Sequence, residues 1–131
     1  MQRIYDFLKK CGTYYLATVD AEGAPHVRPF GTIDIFDGRL CIQTGKRKPV
    51  SKQIHDNPQI AISAFDGERW IRIVAVAVEE PRIEAQQQML DAFPELKKLY
   101  SPGDGITEIF KLEHGVATIC SFTDAPLEIE F

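Results

Sequence analysis

The chain lacks most of the features that announce a function by themselves. Its longest apolar run, Ile73 to Val78, is far too short to cross a bilayer, which excludes a helical membrane span. The N-terminal residues Met1-Gln2-Arg3-Ile4-Tyr5-Asp6 interleave charge with apolar side chains and lack the apolar segment and small-residue cleavage site of a secretory leader, so a cytoplasmic location is expected. Cysteine is scarce. Cys11, Cys41 and Cys120 are odd in number and too widely spaced for a zinc knuckle or a CxxC pair, so reduced, mostly buried thiols and no metal centre are expected. Excess positive charge is missing too: the formal net charge of −4 argues against nucleic acid as the main partner. There is no internal repeat and no low-complexity segment. At 131 residues the chain suits a single domain, 1–131, and is too short for separate cofactor and substrate domains.

One further absence is local. From Gly38 to His55 there is no carboxylate, while Arg39, Lys46, Arg47, Lys48 and Lys52 all fall within that stretch of an otherwise acidic protein. Uncompensated positive charge of this kind implies a localised anion.

Along the chain, Ile4, Phe7 and Leu8 have helical spacing, and Cys11-Gly12 closes a short helix. Thr13 to Val19 is apolar on both alternating faces, predicting a strand covered on both sides, with a turn at Asp20 to Gly23. A second strand is predicted from Pro25 to about Phe36, a hairpin turn at Asp37-Gly38, and a third strand from Arg39 to Thr44. Pro49 suits the first turn of a helix through Val50, Ile54 and His55, which ends at Asn57-Pro58. Gln59 to Phe65 and Arg69 to Glu79 read as strands joined at Asp66-Gly67. Arg82 to Ala92 reads as a helix broken at Phe93-Pro94 before a second short one ending near Tyr100. Glu108 to Leu112 and Val116 to Phe122 are predicted to pair across Glu113-His114-Gly115, with Pro126 to Phe131 as an edge strand. The frequent short turns indicate antiparallel pairing. The expected fold is therefore mainly β: a six-stranded antiparallel barrel with about three short helices.

The chemistry is expected at the basic loop. Lys46, Arg47 and Lys48 lie between a strand end and a helix start, where free backbone amides and the helix dipole add to side-chain charge. Thr44 and Ser51 bring hydroxyl groups, and Lys52 lies one turn on. Arg28 sits mid-strand in His26-Val27-Arg28-Pro29-Phe30-Gly31, beside a proline that cannot donate to the ladder. Counting back from a Phe36–Arg39 pair puts Arg28 beyond Thr44, level with the loop. A solvated basic loop and a surface-paired arginine are the competing, purely structural explanations.

Val27-Arg28-Pro29-Phe30-Gly31, Ile42 to Lys48, Asn57-Pro58-Gln59-Ile60 and Trp70-Ile71-Arg72-Ile73, in this order and spacing, resemble the pyridoxamine 5′-phosphate oxidase-like family of FMN-binding split barrels. The likeness spans nearly the whole chain and is closest to short bacterial members grouped with nitroimidazole-resistance nitroreductases. It implies a split β-barrel that forms a homodimer with FMN at the subunit interface. Arg28 and Lys48 would hold the flavin phosphate with Thr44 beside them, and Lys52 is a weaker candidate. Pro29, Phe30 and Gln43 would line the ring and ribityl chain, and Trp70 and Arg72 would come from the second subunit. Trp70, Arg72 and Val74 share one strand face, leaving more apolar surface than one small barrel covers, in keeping with a dimer.

Pyridoxamine phosphate oxidation itself is not expected, because the family's C-terminal tryptophan and arginine residues have no counterpart: there is one tryptophan, and no arginine follows Arg82. No nucleophile or triad is legible, and catalytic residues stay unassigned. His26 shares the face of Arg28, which leaves it open as a proton donor, an axial ligand or a plain surface residue. His55 reads as a helix-end surface residue and His114 as a turn residue. The expected activity is FMN-dependent reduction of a small electrophile such as a nitro compound or quinone, with a nicotinamide, NAD(P)H, as possible electron donor. The alternative is a non-enzymatic protein that binds or sequesters flavin or haem.

Overall fold

Amphipathic spacing folds Gln2–Cys11 into α1, whose Ile4, Phe7 and Leu8 are buried and whose end is closed by Gly12 at φ 75°. The computed structural model describes residues 1–131. The strands that follow are β1 (Tyr14–Val19), β2 (Pro25–Phe30), β3 (Asp34–Phe36) and β4 (Arg39–Gly45). After them come α2 (Pro49–Asp56), β5 (Gln59–Phe65), β6 (Trp70–Glu79), α3 (Ile83–Ala92), a 3₁₀ turn (Pro94–Lys98), β7 (Thr107–Cys120) and β8 (Leu127–Glu130). No helix is long and apolar enough to cross a membrane.

All strand pairs are antiparallel, in the order β2-β1-β5-β6-β7-β4-β3, with β8 added on β7. The two ends of this order, β2 and β3, are joined in sequence by only Gly31, Thr32 and Ile33. The sheet therefore curls back on itself, and the barrel is split at a seam that a peptide link crosses. Inside it Leu16, Ile42, Ile62, Ile71, Ile73 and Phe110 form the core, closed by Leu8 of α1 and Ile54 of α2. Outside it α3 packs Ala85 and Met89 on Cys41 and Ile109.

Eight strands replace the expected six, and the differences have physical causes. The single strand expected from Pro25 to Phe36 is two: β2 pairs with β1, Arg28 opposite Leu16, and only β3 pairs with β4. The hairpin partnership of Arg28 with Thr44 is thus incorrect, although Phe36 does face Arg39. At that turn Asp37 and Gly38 adopt φ 49° and 71°, as a two-residue turn requires. The Asp66 connection is longer, spanning four residues between Phe65 and Trp70, and Asp66 Oδ1 accepts the Glu68 and Arg69 amides.

The hairpin expected across Glu113-His114-Gly115 is instead one 14-residue strand, β7. His114 and Gly115 form a bulge opposite Ala75, with positive φ at His114 alone (51°). Before the bulge β7 pairs with β4, after it with β8. Beyond β8, the Phe131 ring lies so close to Gly115 that an added Cβ would sit 2.1 Å from it.

Candidate functional site

The seam of the barrel opens into a cavity of about 530 Å³. Arg28, Pro29 and Phe30 of β2 form one side, Gln43 and Thr44 of β4 another, and Lys48 and Val50 close the end at the start of α2. Six of the nine cofactor residues expected from sequence therefore share one wall system. Gln43 and Thr44 are buried; Gln43 Nε2 donates to Thr107 Oγ1 at 3.2 Å, and its own amide donates to Thr32 Oγ1 at 3.0 Å.

Arg28 is half-buried and has no carboxylate within ion-pair distance. Its Nη1 donates to Thr18 Oγ1 at 2.8 Å and to the Leu16 carbonyl at 3.2 Å, and its Nη2 donates to Gln53 Oε1 at 2.6 Å. These neutral acceptors hold the guanidinium without cancelling its charge, and burial disfavours the charged form somewhat. Of its five N–H donors, the Nε–H and one Nη2–H remain without a protein acceptor and are free to meet an oxyanion. Arg47 and Lys48 likewise lack carboxylate partners, whereas Lys46 faces Glu79 at 3.6 Å.

Pro49 occupies the first turn of α2, where the Ser51 amide donates back to the Lys48 carbonyl at 3.1 Å and the Val50 amide has no backbone acceptor. The helix is pinned from below by a residue that the sequence did not single out. Glu108 of β7 is buried; it accepts from Ser51 Oγ at 2.5 Å and lies 2.7 Å from His55 Nε2. His55 is exposed at the end of α2, as expected, and is also anchored there, its ring 5.5 Å from that of Phe110. Only spatial pairing across 53 residues brings it to Glu108.

The other expected residues lie elsewhere. Lys52 points away from the cavity and pairs with Asp56 at 2.7 Å. His26 also stands outside it; its ring bonds Asp20 Oδ2 at 2.9 Å and holds that carboxylate below its usual range. Trp70 packs on Phe122, ring centroids 5.1 Å apart, and Arg72 lines a shallow apolar groove on the outer sheet face. That face exposes Tyr15 (52%), Val27 (68%), Phe65 (60%) and Val74 (58%), so the second cover expected for the first strand is not supplied by the chain itself. All three cysteines are free, and Cys41 and Cys120 are buried.

A family model described as pyridoxamine 5′-phosphate oxidase matches residues 1–113. A NimC/NimA family protein from Clostridium acetobutylicum is 36% identical, with a TM-score of 0.95 over 100% of this chain and 92% of that one. General stress protein 26 from Bacillus anthracis shares the fold at 19% identity, a TM-score of 0.73 and 98% coverage of each chain. The heme storage protein HutZ from Vibrio cholerae does so at 18% identity and a TM-score of 0.64, over 98% of this chain and 93% of that one. No curated protein matches. By family match, by near-complete structural overlap and by its seam-split barrel, the chain belongs to the pyridoxamine 5′-phosphate oxidase-like split-barrel family.

Proposed function

We propose that the protein is an FMN-dependent oxidoreductase that works as a homodimer and reduces a small electrophile such as a nitro compound or quinone. The observation that carries this is Arg28: a half-buried guanidinium with no carboxylate counterion and two free donors, in the same cavity as Lys48 and the start of α2. These groups fit a phosphate monoester. Arg28 would bind it bidentately and Lys48 would add a point charge, while Pro29, Phe30 and the Gln43 strand would border the ring and ribityl chain. Thr18 and Gln53 orient Arg28, and the Ser51–Glu108–His55 contacts fix the helix that presents Lys48. FMN supplies the electron transfer, with NAD(P)H as the expected donor, so the protein's share is binding, orientation and exclusion of water.

The outer face supports the dimer, because contiguous exposed Tyr15, Val27 and Val74 form the kind of patch that a second copy covers. Trp70 and Arg72 lie on that same face, where they would reach the other subunit's site. Free thiols suit a cytoplasmic location. The test is an absorption spectrum of freshly purified protein, with mass analysis of what heating releases. Flavin bands and FMN are expected, together with oxidation of NAD(P)H when a nitro or quinone acceptor is added. A Soret band would replace this reading with haem binding, and flavin bands without turnover would leave a flavin carrier.

A further inference from the structure

The cavity has a second wall that phosphate binding does not use. It is built from the last turn of α1 and the junction between α3 and the 3₁₀ turn, which contribute Lys9, Phe93, Glu95 and Leu96. Local sequence explains the placement. Pro94 ends α3, and the Phe93 amide donates to the Met89 carbonyl at 3.0 Å, so the Phe93 ring packs partly on the small outer cluster around Cys41 and Met89. Ile4, Phe7 and Leu8 turn inward, which leaves Lys9 exposed at the helix C-terminus, where the dipole favours a cation. Lys9 Nζ stands 4.2 Å from the Phe93 ring centroid. No carboxylate is within ion-pair distance of it, although the adjacent Lys10 meets Asp66 at 3.7 Å.

A cation over an aromatic face at an exposed site is held weakly, by about 0.5–1 kcal/mol. A charge-assisted hydrogen bond to an anion contributes about 1.5–3 kcal/mol, so an incoming anion can take Lys9 from the ring and leave the ring face free to stack. Glu95 adds one negative charge to the same wall, which opposes a dianion more strongly than a ligand with a single anionic group.

We propose that Lys9, Phe93, Glu95 and Leu96 form a subsite for flat aromatic monoanions, with the ligand ring on Phe93 and Leu96 and its anionic group on Lys9. The assignment rests on the flavin site proposed above and names the class of molecule that approaches it.

The experiment titrates purified protein calorimetrically with 4-nitrobenzoate and, separately, with uncharged nitrobenzene, after its FMN content has been measured. The parent should bind 4-nitrobenzoate at least tenfold more tightly. Lys9→Glu should abolish that preference, Lys9→Met should reduce it, and Phe93→Ala should weaken both ligands alike, with FMN content equal in all four proteins. Equal affinity for the two probes in the parent, or an undiminished preference in Lys9→Glu, would overturn the subsite. FMN content judges the flavin site separately: if the parent carries none, that reading fails, and the same titration of the protein as isolated still decides whether Lys9 selects the anion.

Discussion

Replacing Arg28 by alanine separates the phosphate contact from the rest of the cavity. The guanidinium makes three hydrogen bonds to neutral acceptors, and Thr18 Oγ1 donates to Gln53 Oε1 at 2.6 Å, a bond that does not depend on the arginine. Little is left unpaired, so the loss of fold stability should be about 1–2 kcal/mol, a drop of several degrees in Tm. Towards FMN the variant loses two charge-assisted donors. Taking about 1.5 kcal/mol for each gives about 3 kcal/mol, a Kd roughly 100-fold higher. Riboflavin has the same ring and side chain without the phosphate, so its Kd should change less than about twofold. Fluorescence titration of parent and variant with both ligands completes the cycle. Equal losses for FMN and riboflavin would refute the phosphate assignment and place Arg28 at the ring or in a purely structural role.

Three other outcomes follow from the same geometry. Val74→Lys sets a charge in the exposed face of β6 and should shift sedimentation from dimer to monomer; an unchanged dimer would move the interface elsewhere. Gly115→Ala brings a Cβ against the Phe131 ring and should displace the C-terminal strand, lowering stability by about 1–3 kcal/mol in urea and speeding proteolysis of the tail; unaltered unfolding would show that the ring swings away freely. Burial pushes the Cys41 thiol up from 9.0 to about 12, so the folded state keeps a proton that the unfolded chain gives up. This contribution is therefore complete below pH 9.0 and lost as pH rises toward about 12, and Cys41→Ala should flatten that part of the alkaline stability curve.

Local signals told the truth where one residue decides the geometry. Asp37-Gly38 specified its turn because two successive positive φ values are needed there, and Pro49 and Asn57-Pro58 bracketed α2. The sequence misled where one extended stretch hid a change of neighbour. From Pro25 to Phe36 only Pro29 and Gly31 mark the point at which the chain leaves β1 and crosses to β4, and neither says that the partner changes. Glu113-His114-Gly115 looks like a hairpin turn, but only His114 takes positive φ, and one extra residue opposite Ala75 yields a bulge. Of the cations in the carboxylate-free stretch only Lys48 lines the cavity, since a local excess of charge does not say which way each side chain points. Arg28 reached it along β1 and not along the expected hairpin, and Glu108 was invisible because its partners come from a helix far away in sequence.

The seam between β2 and β3 has a mechanical consequence. Elsewhere around the barrel, neighbouring strands can separate only by breaking rungs of the ladder, but here the two edges are tethered by Gly31, Thr32 and Ile33. Its cross-ties are side-chain bonds, Tyr14 to the Thr32 carbonyl at 2.6 Å and Thr32 Oγ1 with the Gln43 backbone. Breathing of the molecule should therefore concentrate where a bulky guest must enter, while every interstrand backbone bond stays made.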